Sequence, residues 1–498
     1  MGAVSFNNIP ADALVPLFYA EVDPSQANYF RNDSRLFLFG QKLSSGTALA
    51  GTPILVNSTD EAIEKFGAGS MLARMHKYAR LSNASSEIWV CPLSDDSAGV
   101  ASTGSITVLG PATAAGTLNL YVAAQRVRVS VYTADTAASI ATSLAAAINA
   151  NEALPVSAAV DGVTPAKVNL TCKWKGETGN DVTLVPNYYG SIGAENYPYG
   201  VSLAVTAMSG GSGNPDVADA ITAMGDEYYG SFVNPYTDAA ALEALKLELG
   251  DTSGRWSPLR QKYGHVWSAK RGSLSSLVTF GATNNDQHGT VFGFETDLPN
   301  PLWENVGAWG ARSARSLDNE PARPTQTLEL VGLLPARPGQ RFTITDRQSL
   351  YAHGVAAANH DSGVVRIDRS VTTYQKNAWN QPDQSYLDAE ILFQLSFGIR
   401  YMKTRLTSKF GRHALADDGT RFGDGLAIVT PKIIRAELVA AYQELVEMGI
   451  FENAKAFEKN LIVRRNESNP NRIDVLYPPD LINQLRIFAL LAQFRLQY

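Results

Sequence analysis

Apolar positions recur three and four apart over some stretches and alternate or run on continuously over others. The switch between these two rhythms divides the chain. Residues 35–40 (RLFLFG) and 53–56 (PILV) are short apolar runs closed by turn residues, which predicts strands. Ser58-Thr59-Asp60-Glu61 has the spacing of a capping box, so a helix starts there and Gly67 ends it. A second helix follows over about 69–81, and 87–92 returns as a strand. From about 100 to 205 strands dominate, among them 116–122, 126–131 and 167–172. One Ala-rich helix lies among them, with Ile140, Leu144 and Ile148 four apart on one face. Residues 99–205 therefore read as a β-rich module inserted between two α/β stretches, and Gly/Ser-rich 209–215 reads as a flexible joint. Alternation then resumes to about 385. Leu242, Leu245 and Leu249 share a helix face that stops at Gly250, while 328–331 and 363–367 resemble strands. Such alternation favours a mainly parallel sheet with helices on it.

The last hundred or so residues are the most regular. Ser385 can cap a helix with Asp388 in its first turn, a stripe at Leu387, Ile391, Leu395, Met402 and Leu406, and a stop at Gly411. Thr430 and Pro431 open a second helix with Ile434, Leu438, Ala441, Leu445 and Met448 on its buried face, ended by Gly449. A short helix over about 452–460 and strand-like 461–464 and 472–477 follow.

Both ends of the chain are apolar and β-prone. Residues 14–22 (LVPLFYAEV) are apolar on both faces, and Pro16 confines them to an edge. Residues 485–491 are also apolar on both faces if they form a strand, as in a sheet interior, and a helix is the alternative. A lone strand is not stable by itself. Ordering such an arm costs about 1–2 kcal/mol per residue, and each backbone hydrogen bond returns about 0.5–1.5 kcal/mol. Burial of Phe18, Tyr19, Phe488 and Phe494, at roughly 1.5–3 kcal/mol each, would tip the balance toward strand addition to a neighbour. Pairing within the same chain is the other outcome.

Composition narrows the class. The 498 residues suit two to four domains, with 45% apolar and 18% charged side chains. A net charge of −6 argues against a general nucleic-acid or membrane-surface binder, and no apolar run is long enough to span a bilayer. The start has no basic region followed by an apolar stretch, so no signal peptide is expected. Cys91 and Cys172 are too few for a disulfide framework or a four-thiolate metal site. The chemistry is sparse. Gly67-Ala68-Gly69-Ser70 lacks the third glycine of a dinucleotide loop, and Asn214 spoils the nucleophile-elbow pattern that Gly210 begins. His353, His360 and Asp361 are too few for a metal site, and 417–424 reads as a polar turn. Trp256, Trp267, Trp303 and Trp309 read as core or interface rather than a ligand cage. No catalytic residue, cofactor or metal site is expected.

Residues 5–10 (SFNNIP) and 15–23 (VPLFYAEVD) resemble the N-terminus of Mu-like bacteriophage contractile-tail sheath proteins. So do 66–72 (FGAGSML), Gly179-Asn180-Asp181 and Val371-Thr372-Thr373-Tyr374. The most specific match is 453–467 (NAKAFEKNLIVRRNE), with 472–481 (RIDVLYPPDL) and the closing Gln493-Phe494-Arg495-Leu496. The resemblance spans nearly the whole chain and is loosest over about 100–210.

The resemblance implies a structural, non-enzymatic subunit of an α/β, multidomain (α+β) kind. Hexameric rings would stack helically around a tail tube, with the tube, baseplate and tail terminator proteins as further partners and neither nucleic acid nor membrane insertion. The implied parts are an arm over 1–23, an outer α/β domain of 24–98 plus 206–385 with a mainly parallel sheet, the inserted module 99–205, and an inner α+β domain 386–498 with an arm over 484–498. Val15, Leu17, Phe18, Tyr19 and Val22, and Leu485, Ile487, Phe488, Leu490, Phe494 and Leu496, would exchange strands between subunits. A metastable extended sheath, assembled in the host bacterial cytoplasm and carried on the virion, would contract to drive the tube through the host envelope. Residues 399–498 carry about +4 and the rest about −10. Glu452, Lys455, Glu458 and Lys459, on the short helix, are candidate tube contacts. Two rivals make different expectations. A soluble α/β enzyme would show a pocket of convergent titratable groups, and a surface adhesion protein would carry 100–205 as a detachable binding part.

Overall fold

The computed structural model describes residues 35–423 and 425–496, so the expected N-terminal arm lies outside the described residues. The described chain forms two units: Phe397–Ile482, and 35–396 together with 483–496.

The larger unit opens with β1 (Arg35–Gln41), β2 (Ile54–Leu55), α1 (Thr59–Phe66), α2 (Met71–Ser82) and β3 (Glu87–Leu93). Every residue of β1 after Arg35 is buried, as an interior strand requires. The Glu61 amide donates to Ser58 Oγ at 3.1 Å to start α1, and Gly67, at φ 90°, ends it. The Ala73 amide donates to Ser70 Oγ at 3.1 Å, so the glycine-rich 67–70 is a helix boundary.

The inserted segment supplies β4 (Ala101–Leu109), β5 (Gly116–Val122), β6 (Gln125–Val131), α3 (Ala137–Ala150), β7 (Val156–Val160), β8 (Lys167–Lys175), β9 (Leu184–Pro186) and β10 (Ser202–Ser209). These strands make two antiparallel sheets, β10-β4-β8-β7 and β6-β5-β9, and α3 buries Ile140, Leu144 and Ile148.

Next come α4 (Ala218–Met224), β11 (Ser231–Asn234), α5 (Ala239–Leu249), β12 (His265–Arg271), α6 (Leu274–Ala282) and β13 (Gly289–Phe294). They are followed by α7 (Leu302–Asn319), α8 (Ile344–Ala352), β14 (Val355–Asn359) and β15 (Arg366–Arg369). The main sheet has eight strands in the order β15-β14-β13-β12-β11-β1-β3-β2. All neighbours pair in parallel except the edge strands β15 and β2, so the sheet is mainly parallel, as the alternation predicts. Of the four tryptophans, Trp267, Trp303 and Trp309 are fully buried in the core, where Trp309 stacks on Phe292, and Trp256 is half-buried.

The insertion is topological rather than a physical separation. Arg74 of α2 pairs with buried Glu304 of α7 at 2.6 Å and also donates to Ala153 O and Ala123 O, at 2.7 and 2.9 Å. Trp174 of β8 meets Trp303 edge-on at 5.2 Å. The segment also covers the carboxyl ends of the parallel strands, where open α/β sheets ordinarily receive ligands. Gln41, ending β1, donates to Lys175 O at 2.7 Å; Asp95, just past β3, accepts from Lys175 N at 3.1 Å; Arg271, ending β12, donates to Asp181 O at 3.3 Å.

Three local expectations are corrected. The Gly/Ser-rich joint is tied down, not flexible: Gly211 exchanges two hydrogen bonds with the Asn180 amide, Val100 bridges Ser212, and Asn214 accepts from Glu177 N at 2.9 Å. Residues 328–331 make only a single bridge, Glu329 to Arg366. The helix expected from Ser385 begins at Ala389. Asp388 is held in a bridge to Val371 and by two bonds from Arg369, at 2.8 and 2.9 Å, which keeps the backbone out of the helix until then.

That helix, α9 (Ala389–Phe410), starts in the larger unit and ends in the smaller. The smaller unit continues with β16 (Ala414–Leu415), β17 (Ile428–Val429), α10 (Pro431–Glu447), α11 (Ala454–Asn460), β18 (Ile462–Arg465) and β19 (Ile473–Leu476). Thr430 occupies the N-cap position of α10 without a side-chain cap bond, and Met448 is half exposed instead of closing the buried stripe. No helix among the described residues is long and apolar enough to cross a membrane.

Candidate assembly surfaces

The smaller unit is built around an aromatic column. Tyr442 of α10 stacks on Phe457 of α11 at 3.7 Å and on Phe451 at 5.3 Å, with Tyr477 edge-on to all three. Its hydroxyl donates to Glu452 O at 2.7 Å and accepts from Asp480 N at 3.0 Å, so one side chain ties α10 to both flanks of the β-hairpin region. On the other side of α10, buried Glu437 accepts from Arg405 at 2.6 Å and Lys409 at 2.5 Å, both on α9. Burial works against its charge, but these two bonds hold its carboxyl below the usual range. Glu444 pairs with Arg405 at 3.0 Å and accepts from Tyr401, and burial with that bond pushes the Tyr401 phenol up to about 12.

Strands β18 and β19 form an antiparallel pair with no third strand on either edge among the described residues. Ile462, Val475 and Leu476 are exposed upon it. Such a pair is an open template for further strands.

The sequence-derived candidates fall into two groups. Glu452 precedes α11 instead of lying on it: its amide donates to Asp480 O at 2.9 Å, and Asn453 takes the N-cap position. Lys455, Glu458 and Lys459 lie on the exposed face of α11, whose inner face is Phe457; Arg435 donates to the Glu458 carbonyl and lies 3.9 Å from its carboxylate.

The C-terminal candidates form neither helix nor ladder over 482–496. Leu485, Ile487, Phe488, Leu490, Leu491, Phe494 and Leu496 are 70–84% exposed, a density of apolar side chains in water that a folded monomer avoids. What the periodicity did not single out is how this segment leaves the body. Ile482, Gln484 and Arg486 are half-buried while 483, 485 and 487 are exposed, a strand-like alternation that stops at Arg486. Gln484 donates to Gln394 at 3.2 Å, Gln326 donates to Leu485 O at 3.1 Å, and Arg486 lies 2.9 Å from Glu390 and 3.3 Å from Asp388. The available signal was the pair Gln484 and Arg486, two apart at the start of an otherwise apolar run.

Among the described residues no group of His, Cys, Asp and Glu is arranged to hold a metal. His353 Nδ1 is bonded to Ser349 O at 2.7 Å and His360 Nε2 to Glu295 at 2.9 Å. Asp417 pairs with Arg465 at 2.9 Å, and Asp418 accepts the Lys432 amide at 3.0 Å at the start of α10. The two cysteines are buried thiols.

Comparison with known proteins gives the family. The phage tail sheath protein central domain matches residues 210–373, and the phage tail sheath C-terminal domain matches 381–495. The Mu-like prophage FluMu tail sheath protein of Haemophilus influenzae is 39% identical over 496 residues, 99% of each chain. Two solved structures are similar in outline. The sheath tail protein of Desulfitobacterium hafniense has a TM-score of 0.48 at 11% identity, covering 94% of this chain and 100% of the other. The helical sheath of the anti-feeding prophage in its contracted state has a TM-score of 0.47 at 10% identity, covering 97% and 99%. The identity to a tail sheath protein runs the length of both chains, and its relatives are structural components, not enzymes: the chain belongs to the Mu-like phage tail sheath proteins.

Proposed function

We propose that this protein is the repeating subunit of a contractile tail sheath, stacked as hexameric rings around a tail tube, with its terminal arms adding strands to neighbouring subunits. The observation that carries the reading is the apolar C-terminal segment, 70–84% exposed at its large side chains, together with a β18–β19 pair that has no third strand on either edge among the described residues. Each supplies what the other lacks: an unpaired apolar strand former and an unpaired edge. In a ring-and-stack assembly the arm of one subunit would take the edge of the next, a heterologous contact that propagates instead of closing on itself. Contraction then proceeds by movement of subunits as bodies while the arms hold neighbours together. The extended state is the metastable one, and its relaxation drives the tube through the host envelope without nucleotide. Tube, baseplate and terminator proteins are the remaining partners, and assembly takes place in the host cytoplasm before the tail joins the virion.

The exposed face of α11, with Lys455, Glu458 and Lys459, and Glu452 just before it, is the proposed tube contact. Exposed ion pairs are worth about 0–1 kcal/mol each, which suits a surface that must release. The experiment for the assembly as a whole is electron microscopy of the full-length protein beside a variant lacking 487–498. Helical cylinders from the first and folded, unassembled subunits from the second are expected. Intact cylinders from the truncated chain would contradict the arm's role.

A further inference from the structure

We infer that Arg486 is a positioning residue for strand exchange: it pins the root of the C-terminal arm to the subunit's own body, so that only the residues beyond it are free to reach a neighbour. The inference rests on the proposed strand exchange and adds to it the point where the arm begins.

The boundary is sharp. Arg486 has a side chain 12% exposed, between Leu485 at 70% and Ile487 at 79%. Its guanidinium sits 2.9 Å from Glu390 and 3.3 Å from Asp388, at the start of α9. Asp388 already has a cation, since Arg369 holds it with two bonds, at 2.8 and 2.9 Å. Glu390 is fully buried, and besides Arg486 its carboxylate is held by the Thr325 amide and hydroxyl, both at 2.9 Å. Arg486 is thus the cation in direct contact with Glu390, and lifting the root would leave that buried carboxylate only the more distant charge of Arg369, which is unfavourable. Gln484 and Gln326 add neutral bonds on the same side.

Over 484–487 the polarity of this docking is the reverse of a core strand: Gln484 and Arg486 face the subunit's own body, and Leu485 and Ile487 face out. A root held by an ion pair and amides leaves every apolar side chain beyond it for a partner. It also restricts the search. Ten described residues, 487–496, extend at most about 35 Å from a fixed point, and a pre-aimed arm loses less freedom on binding than one hinged further back.

The test uses the full-length chain with spin labels on Ala489→Cys and on exposed Ser385→Cys; the native cysteines are buried. The distance distribution is measured by pulsed electron resonance beside the yield of sedimenting cylinders. Arg486→Gln is expected to broaden the distribution at least twofold and cut the yield at least tenfold, with Arg486→Lys restoring most of both. Arg486→Gln with Glu390→Gln removes the orphaned carboxylate, so its thermal stability returns while the broad distribution and low yield persist. If that double variant assembles like the wild type with a narrow distribution, the residue is only a structural ion-pair partner and the proposal falls. If deletion of 487–498 abolishes cylinders while the double variant forms them, anchoring fails and strand exchange stands. If the deletion leaves cylinders intact, the exchange itself fails and the proposal with it.

Discussion

Phe451 lies against the backbone of α9 at Gly398, where an added Cβ would stand 2.3 Å from the ring's Cζ. The ring cannot retreat easily, because it stacks on Tyr442 at 5.3 Å within the aromatic column. Alanine in a helix interior gains about 1 kcal/mol over glycine, but overpacking costs about 1–3 kcal/mol. Gly398→Ala is therefore expected to destabilise the Phe397–Ile482 unit by about 1 kcal/mol, read as a lower midpoint in denaturant unfolding. Buried histidines give a second residue-scale prediction. His76 is fully buried with Nε2 bonded to Val56 O at 3.1 Å, and burial lowers its pKa to about 4. His265, also buried, shifts the same way. Between roughly pH 6.5 and 4 the unfolded chain binds a proton that the fold refuses. Stability is therefore full above that window and falls as pH drops through it, by about 3 kcal/mol for His76. Unfolding titrations at pH 7, 5.5 and 4.5 check this, and His76→Gln should flatten the profile.

Helices α9 and α10 are joined by charge where they are not joined by aromatic packing. Glu437 is bonded to both Arg405 and Lys409, and its carboxyl is held low, so the fold keeps its proton less tightly than the unfolded chain does. That contribution is complete above the ordinary glutamate range and is lost as pH falls through the depressed value. Glu437→Gln should cost about 1–3 kcal/mol at pH 7 and much less at pH 3, measured by unfolding of the full chain. At this scale the helices were largely legible in sequence, because their signals are local: Ser58 caps, Gly67 stops, and the α10 stripe buries Ile434, Leu438, Ala441 and Leu445. The parallel sheet was legible from alternation. The late start of α9 was not, since Asp388 is drawn out of the helix by Arg369, a partner 19 residues away. The Gly/Ser joint at 209–215 misled for the same reason: composition signals freedom, whereas Asn180 and Glu177 remove it. The C-terminal run was ambiguous between strand and helix, and in the single chain it is neither. Its pattern suits a partner that one chain does not contain.

Taken whole, the molecule has the features of a building block. The inserted segment is hydrogen-bonded to the carboxyl edge of the parallel sheet at Gln41, Asp95 and Arg271, so its own chain occupies part of the edge where an open α/β sheet ordinarily receives ligands. The surfaces proposed for partners are the β18–β19 pair, open among the described residues, the exposed arm and the charged face of α11. Reversing charge at Lys455 and Lys459 together should lower the yield of extended sheath on tube while leaving unfolding midpoints within about 0.5 kcal/mol of the wild type; an unchanged yield would remove α11 as the tube contact. The most direct measurement of the central claim is a reconstruction of the assembled sheath at a resolution that traces each chain. The account predicts residues 487–496 hydrogen-bonded as a strand on the β18–β19 pair of a neighbouring subunit. A map in which that segment returns to its own subunit's hairpin would contradict it.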